Sequence, residues 1–328
     1  MKAQELIITN GDSAVDLLKT AKIGDHWLPW RDVLHEGPVP LTDDLDSLSL
    51  IRAKYLADKG WTGSDQVENG FKERDDLLAD VDQYESAVLW FEHDLYDQLQ
   101  LLQILDFIAT HPKKNDEWFL VQADDFLGTQ TPQTIGQFLD RKERISAAQL
   151  NLAEEAWRAF RQPTPLSFAA LLEKDLSALP FLKPSVLRML EELPALSTGL
   201  LRSERQIISL IDRGVLDARE LFRASQKMEE AQFMGDWSFF DRLMGLVHAR
   251  EPLISGLEDF SLDAYKNDNE RKTFLAAILN LTAFGEAVLS GEEDHARRND
   301  IHFWWGGTEL SDTCLWRWDC EAQQLIAP

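Results

Sequence analysis

The sequence predicts an α/β protein in three parts: a parallel, Rossmann-like sheet domain over residues 1–130, a helical connector over 131–199, and a winged-helix-like domain over 200–328. Three observations carry this. Short apolar runs alternate with helix-period stretches through the first part, the pattern of βα units around a parallel sheet. Proline breaks then divide a purely helical pattern. Finally, three amphipathic stretches precede two aromatic, strand-like segments.

In order, Leu6-Ile-Ile-Thr9 is the first strand, and Asn10-Gly11-Asp12-Ser13 turns it into a helix patterned on Val15, Leu17 and Leu18. Gly11 permits a tight turn, and Asp12 or Ser13 can cap the helix. The same turn also suits an anion held by the free amides of the helix end, helped by Asn10. Neither G-x-G-x-x-G nor G-K-[ST] is present. His26–Trp30 is the second strand, with Pro29 placing it near an edge. It runs into Trp30-Arg31-Asp32-Val-Leu-His35-Glu36-Gly-Pro38, where Arg31, Asp32, His35 and Glu36 crowd a loop beside a tryptophan. Such loops are where binding residues concentrate, although an Arg31–Asp32 pair in a plain turn is the alternative.

Residues 47–59 and 64–83 read as helices separated by Gly60-Trp-Thr-Gly63, and the run Lys72–Asp76 reads as a solvated face. Ala87–Phe91 is a strand buried on both faces. Glu92, His93 and Asp94 follow it, and then a helix striped by Leu95, Leu99, Leu102 and Leu105, broken at His111-Pro112. Glu117–Ala123 is a fourth strand, ending in Asp124 and Asp125. If the four strands are parallel neighbours, their polar ends share one rim, the edge at which open α/β sheets bind ligands. Helix capping accounts for Asp12, Asp94 and Asp125, with Asp97 adding to the Asp94 cap, but not for Arg31, His35, Glu92 or His93.

Thr134–Arg141, Ser146–Arg161, Ser167–Lys174 and Pro184–Leu193 are the connector helices, with Trp157 and Phe160 in their core. Arg202–Ile211 (capped by Ser203), Ala218–Lys227 and Asp236–His248 follow. Phe274–Leu281 is an apolar run leading into a short helix at Thr282–Leu289. Ile301–Thr308 and Cys314–Asp319 are expected to pair as one hairpin. The third helix sets Arg242 and Arg250 against Asp236 and Asp241, so protein contact or a homodimer suits it better than DNA.

The formal charge is −24, and neither half has a basic excess: residues 1–199 hold 19 Lys/Arg against 34 Asp/Glu, and residues 200–328 hold 14 against 23. This argues against sequence-independent nucleic-acid binding and against anionic membranes. No apolar run approaches membrane-spanning length, and Met1–Glu5 lacks a secretion pattern. Cys314 and Cys320 could pair across a hairpin, but they read better as two reduced, partly buried thiols of a cytoplasmic protein.

Asn10-Gly-Asp12, Trp30-Arg-Asp32 with His35-Glu-Gly-Pro38, and Leu89-Trp-Phe-Glu-His-Asp-Leu-Tyr-Asp-Gln-Leu99 together resemble the bacterial family called domain of unknown function 1835. Gly199–Gln206, Trp304–Gly307 and Trp316–Asp319 resemble the C-terminal region common in such proteins. The resemblance implies no activity. It picks out the same residues as the strand ends do.

Three functions fit. The first is an enzyme, a hydrolase or transferase acting on a phosphorylated or nucleotide-like small molecule. In it His35, Glu92, His93 and Asp94 are the catalytic candidates, and Asn10, Gly11, Asp12, Ser13, Arg31, Asp32, Glu36 and Gln98 the substrate-binding ones. Its acids, Asp124 and Asp125 included, would supply oxygen ligands for magnesium or manganese, and zinc is disfavoured. The second is a regulator that senses a ligand at the same rim. The third is an interaction protein whose eleven tryptophans build cores and an interface.

Overall fold

A computed structural model describes residues 4–61, 63–111 and 117–328, so Pro112 of the expected break and Thr62 of the expected separator lie outside it, as do Met1–Ala3 of the expected amino end. The chain divides into two compact units, residues 1–186 with 304–308, and residues 187–303 with 309–328. The helical stretch from 131 to 186 therefore belongs to the same unit as the sheet. Among the described residues no helix is long and apolar enough to cross a membrane.

The first unit is built on a sheet of β1 (Glu5–Thr9), β2 (His26–Pro29), β3 (Ser86–Phe91), β4 (Trp118–Gln122) and β5 (Glu143–Arg144), in the order β2-β1-β3-β4-β5. The first four strands are parallel neighbours, as the sequence predicts, and β5 adds an antiparallel edge that has no apolar signal of its own. Pro29 sits on the outer strand β2, where a missing N–H costs no ladder bond to a further strand. Ile7, Val88, Trp90 and Val121 face α1 (Asp12–Thr20) and the 3₁₀ turns that follow β4. Alternate residues, Leu6, Ile8, Leu89 and Leu120, are equally buried, so the sheet is covered on both faces.

Helix α2 (Leu45–Asp58) packs on α3 (Ser64–Ala79) through Ala53, Leu56, Val67 and Phe71. Helix α4 (Leu95–Thr110) carries the expected leucine stripe, but Gln98, Gln100 and Gln103 are buried too, because it is enclosed on all sides. The expected helix at Thr134–Arg141 is a 3₁₀ run, Ile135–Arg141. Helix α5 (Ala147–Phe160) starts with a full capping box between Ser146 and Gln149. It is followed by the single turn α6 (Leu166–Ala169), and α7 (Leu182–Leu190) spans the boundary between the units.

The second unit contains α8 (Arg202–Asp212), α9 (Ala218–Gln226) and α10 (Asp236–Val247), then an antiparallel pair of β6 (Ile254–Ser255) with β7 (Asn280–Leu281). The short helices α11 (Asp263–Lys266) and α12 (Asp268–Leu275) lie between those strands, so most of the apolar run at Phe274–Leu281 is helix end and turn. Helices α13 (Ala283–Ser290) and α14 (His295–Arg298) follow. Ser203 does not cap α8: its hydroxyl donates to Glu192 at 2.7 Å, while the Glu204 carboxylate accepts from the Leu201 amide at 2.9 Å.

The two aromatic segments do not pair with each other. β8 (Phe303–Trp305) turns at Gly306-Gly307 into β9 (Thr308–Leu310), and β10 (Arg317–Asp319) pairs with β11 (Gln324–Ile326). Gly306 has φ +56, and a Cβ there would lie 2.4 Å from the Phe160 carbonyl oxygen. At Gly307 it would lie 2.0 Å from that of Arg161. The close approach lets Trp305 stack edge-on against Phe160 and Phe168 in the first unit. Cys314 and Cys320 are both free and half-buried.

Candidate functional site

The path of the chain fixes where a ligand can sit. From β1 it moves outward to β2, then crosses back over β1 to β3, so the carboxyl ends of β1 and β3 flank the point where the winding reverses. In doubly wound sheets a crevice opens there. Asn10 follows β1 and Glu92 follows β3, and the two meet: Asn10 Nδ2 donates to Glu92 Oε1 at 3.1 Å and to Asp97 Oδ2 at 2.8 Å.

These bonds belong to a buried cluster of acids. The Leu127 amide also donates to Glu92 Oε1 (2.9 Å), the Glu92 amide to Asp97 Oδ1 (2.6 Å), and the Asp97 amide to Asp94 Oδ1 (3.2 Å). Gln98 donates to the Glu92 carbonyl at 2.7 Å, which fixes the strand-to-helix turn. One oxygen from each of Glu92, Asp94 and Asp97 lies within 4.8 Å of the others. Burial is the main cause that raises all three above the usual carboxylate range, and their mutual repulsion adds to it for the two aspartates. Asp94 is pushed up to about 8. Like charges this close either share protons or accept a cation.

Beside the cluster lies a cavity of about 1020 Å³. Asn10, Gly11, Asp12, Ser13, Arg31 and Asp32 line it together with Trp61, Val67, Phe71 and Tyr96, so polar and aromatic side chains share its lining. Helix α1 begins at this lining with Gly11 as N-cap and no side-chain cap, which leaves its first amides open to an acceptor. Arg31 makes two bonds to Asp12, at 2.8 and 2.7 Å, and both side chains are more than half exposed. That pairing is what lowers the Asp12 carboxyl.

The crowded loop after β2 has a structural core. Arg52 of α2 is fully buried against Asp32, with Nη2 at 2.8 Å, and donates to the Val33 and Glu36 carbonyls at 2.8 and 2.7 Å. The loop is thus wrapped around one guanidinium, and Asp32 is its counter-ion. Gln100 donates to the Asp32 carbonyl at 2.7 Å and Trp30 to Gln103 at 2.9 Å, which explains the buried amides of α4.

The residues expected from the sequence therefore fall into groups. Asn10, Gly11, Asp12, Ser13, Arg31 and Asp32 meet at the cavity. Glu92 joins them through Asn10, Asp94 is linked only through the Asp97 amide, and Gln98 acts from behind. His35 and Glu36 are not among the described residues that line the cavity; His35 sits 3.6 Å from the Glu36 carboxylate and edge-on to Tyr96, whose hydroxyl donates to the Asn10 carbonyl. His93 is turned elsewhere, between Phe126 and Phe181, and burial lowers its imidazole below the ordinary value. Asp124 is exposed and paired with Arg141, and Asp125 accepts from the Phe126 amide.

Besides Arg52, three further residues of the site are not singled out by the sequence. Asp97 passed for part of a helix cap, although it stands at the centre of the acids. Arg74 and Asp75 passed for solvated surface, yet both are buried. The signal was present: Phe71, Arg74, Asp75 and Leu78 fall on one helical stripe. Arg74 lines the cavity, its guanidinium 4.1 Å from the Trp30 ring and 4.4 Å from that of Phe71. Compared with known proteins, the chain matches no family model and no curated sequence.

Proposed function

We propose that the first unit binds a phosphorylated, nucleotide-like small molecule in this cavity and acts on it as a metal-dependent hydrolase or transferase in the cytoplasm. The observation that carries the reading is the amino end of α1 without a side-chain cap, at the sheet's reversal point in a cavity lined also by Arg31, Trp61, Phe71 and Tyr96. Amides and guanidinium suit a phosphate, and aromatic rings suit a base or similar flat group. Asp65 and Glu73 add to the acids of the wall. An acidic wall is expected where magnesium or manganese arrives with the phosphate, since magnesium uses one or two carboxylates plus phosphate oxygens. Glu92 and Asp94 supply general acid–base capacity, with Asp94 pushed up to about 8, Asn10 joining Glu92 to the cavity and Asp97 joining Asp94 to Asn10. His35 and His93 are left out of this constellation. The resemblance to domain of unknown function 1835 belongs to the same proposal, supported by Asn10-Gly-Asp12, Arg31-Asp32 and Tyr96 of its motifs, which line the cavity.

Adenosine monophosphate and diphosphate, with magnesium or manganese chloride, test the reading. Wild-type protein should be stabilised by them and turn one over. Chelation should remove the turnover, and Arg31→Gln should weaken binding about tenfold. No stabilisation by any phosphate ester overturns it.

Binding without turnover would favour the second reading, a ligand-responsive regulator. One observation supports that: α8, α9 and α10 followed by the β6/β7 pair, with a bridge between Asp217 and Ile278, is the element order of a winged helix. Helix α10 buries Trp237, Phe239, Phe240 and Leu243, and Arg242 lies 3.6 Å from Glu204. Its partner would be a protein or a second copy rather than DNA.

A further inference from the structure

Arg74 is a charged side chain of the cavity wall that, unlike Arg52, is not the core of a loop. Its side chain is 4% exposed. Nε donates to Asp75 and Nη2 to Ser49, both at 2.8 Å. Nη1 is buried and has no hydrogen-bond partner among the described residues. Trp30 and Phe71 stack on the guanidinium, so its plane is held and its remaining donors can be met only along the edge. A buried guanidinium N–H without an acceptor is costly, and native proteins rarely keep one without a use. A purely packing role would be served as well by an apolar side chain between the two rings.

We infer that the ligand carries a second oxyanion, a carboxylate or a phosphate, which the edge of Arg74 receives at the aromatic side of the cavity. This rests on the phosphate reading of the α1 end and narrows it: the ligand is doubly acidic, with a flat apolar spacer between its two acidic ends. Planar, forked donors match both carboxylate and phosphate oxygens, which is why arginine rather than lysine suits the position. Asp75 offsets the charge of Arg74 from outside the cavity, since it is not among the described residues that line it.

The test uses phenyl phosphate as the singly acidic probe, with its para-carboxy and para-phosphate derivatives and their biphenyl analogues as doubly acidic ones. Binding to the full chain is measured by calorimetry with magnesium chloride present. At least one doubly acidic probe should bind about tenfold more tightly than its singly acidic parent, and the better class tells carboxylate from phosphate. Arg74→Gln, shown to be folded by its circular dichroism, should bring the doubly acidic probes down to the level of the parent. Phenyl phosphate binding with no gain from a second acid overturns this inference alone and leaves the phosphate reading intact. So does a gain that survives in Arg74→Gln. Failure of every probe overturns both. The wild-type comparison decides the matter even if the variant does not fold.

Discussion

Two buried ionic clusters, one in each unit, are built on opposite terms. In the second unit Arg188 donates to Glu229 at 2.7 and 2.8 Å and to Glu192 at 2.7 Å. Ser203 and Arg242 also face Glu192, and Arg202 ties Glu191 and Glu230 to the same group. Burial opposes ionisation there, but the arginines overcome it, so Glu192 stays below the usual carboxylate range. In the first unit Glu92, Asp94 and Asp97 are as deeply buried, yet among the described residues amides rather than cations bond to them, and all three are raised. Carboxyls at the same depth are held below the usual range where arginines accompany them and are pushed above it where amides do. Within the first unit the Asp32–Arg52 pair follows the matched pattern, so the unmatched cluster is a local property of the reversal point.

The largest effect expected from this contrast comes from removing a cation. Arg188→Met strands Glu192 and Glu229, and Arg52→Met strands Asp32; each should cost about 3–5 kcal/mol in urea denaturation. A loss under 1 kcal/mol in either would break the distinction drawn between the clusters. Removing an acid from the unmatched cluster should act the other way. The folded Asp94 carboxyl sits at about 8 against a model value of 3.8, so the folded state holds a proton that the unfolded state has lost between those values. That stability is complete below the unfolded value and disappears as pH rises through the folded one. Wild-type melting temperature should therefore fall as pH rises from about 4 to about 8, and Asp94→Asn, which can still cap α4, should flatten the fall. An unchanged slope would place the proton elsewhere.

Smaller effects probe the frame around the clusters. Gly307→Ala drives a Cβ into the Arg161 carbonyl and should destabilise by about 1–3 kcal/mol by denaturant midpoint. Ser146→Ala removes half of a capping box and should cost about 1 kcal/mol, with no change in ligand binding.

Much of the first unit was legible because its signals are local. Each parallel strand is a short apolar run closed by a turn, and the polar ends at Asn10, Arg31 and Glu92 follow from strand position alone. What stayed hidden depends on partners distant in sequence. Arg52 gave no sign of being the core of the loop after β2, since its partner Asp32 lies in another element. Arg74 and Asp75 sit inside a charged run whose composition outweighed its period. The aromatic hairpin was mispaired because alternation reveals strands but not which strands meet, and two tight turns at Gly306-Gly307 and after Asp319 were preferred to one wide one. His93, three bonds of chain from Asp94 in reading order, is turned away by its aromatic neighbours, which no spacing rule could show.

The short segment Trp304–Thr308 has a consequence for how the protein is made. It belongs to the first unit, where the Gly306 carbonyl receives the Val39 amide and Trp305 closes over Phe160. A nascent chain emerging from the ribosome must therefore wait for more than a hundred later residues before its amino-terminal half can be finished. Until then Phe160 and Phe168 lack the ring that closes over them.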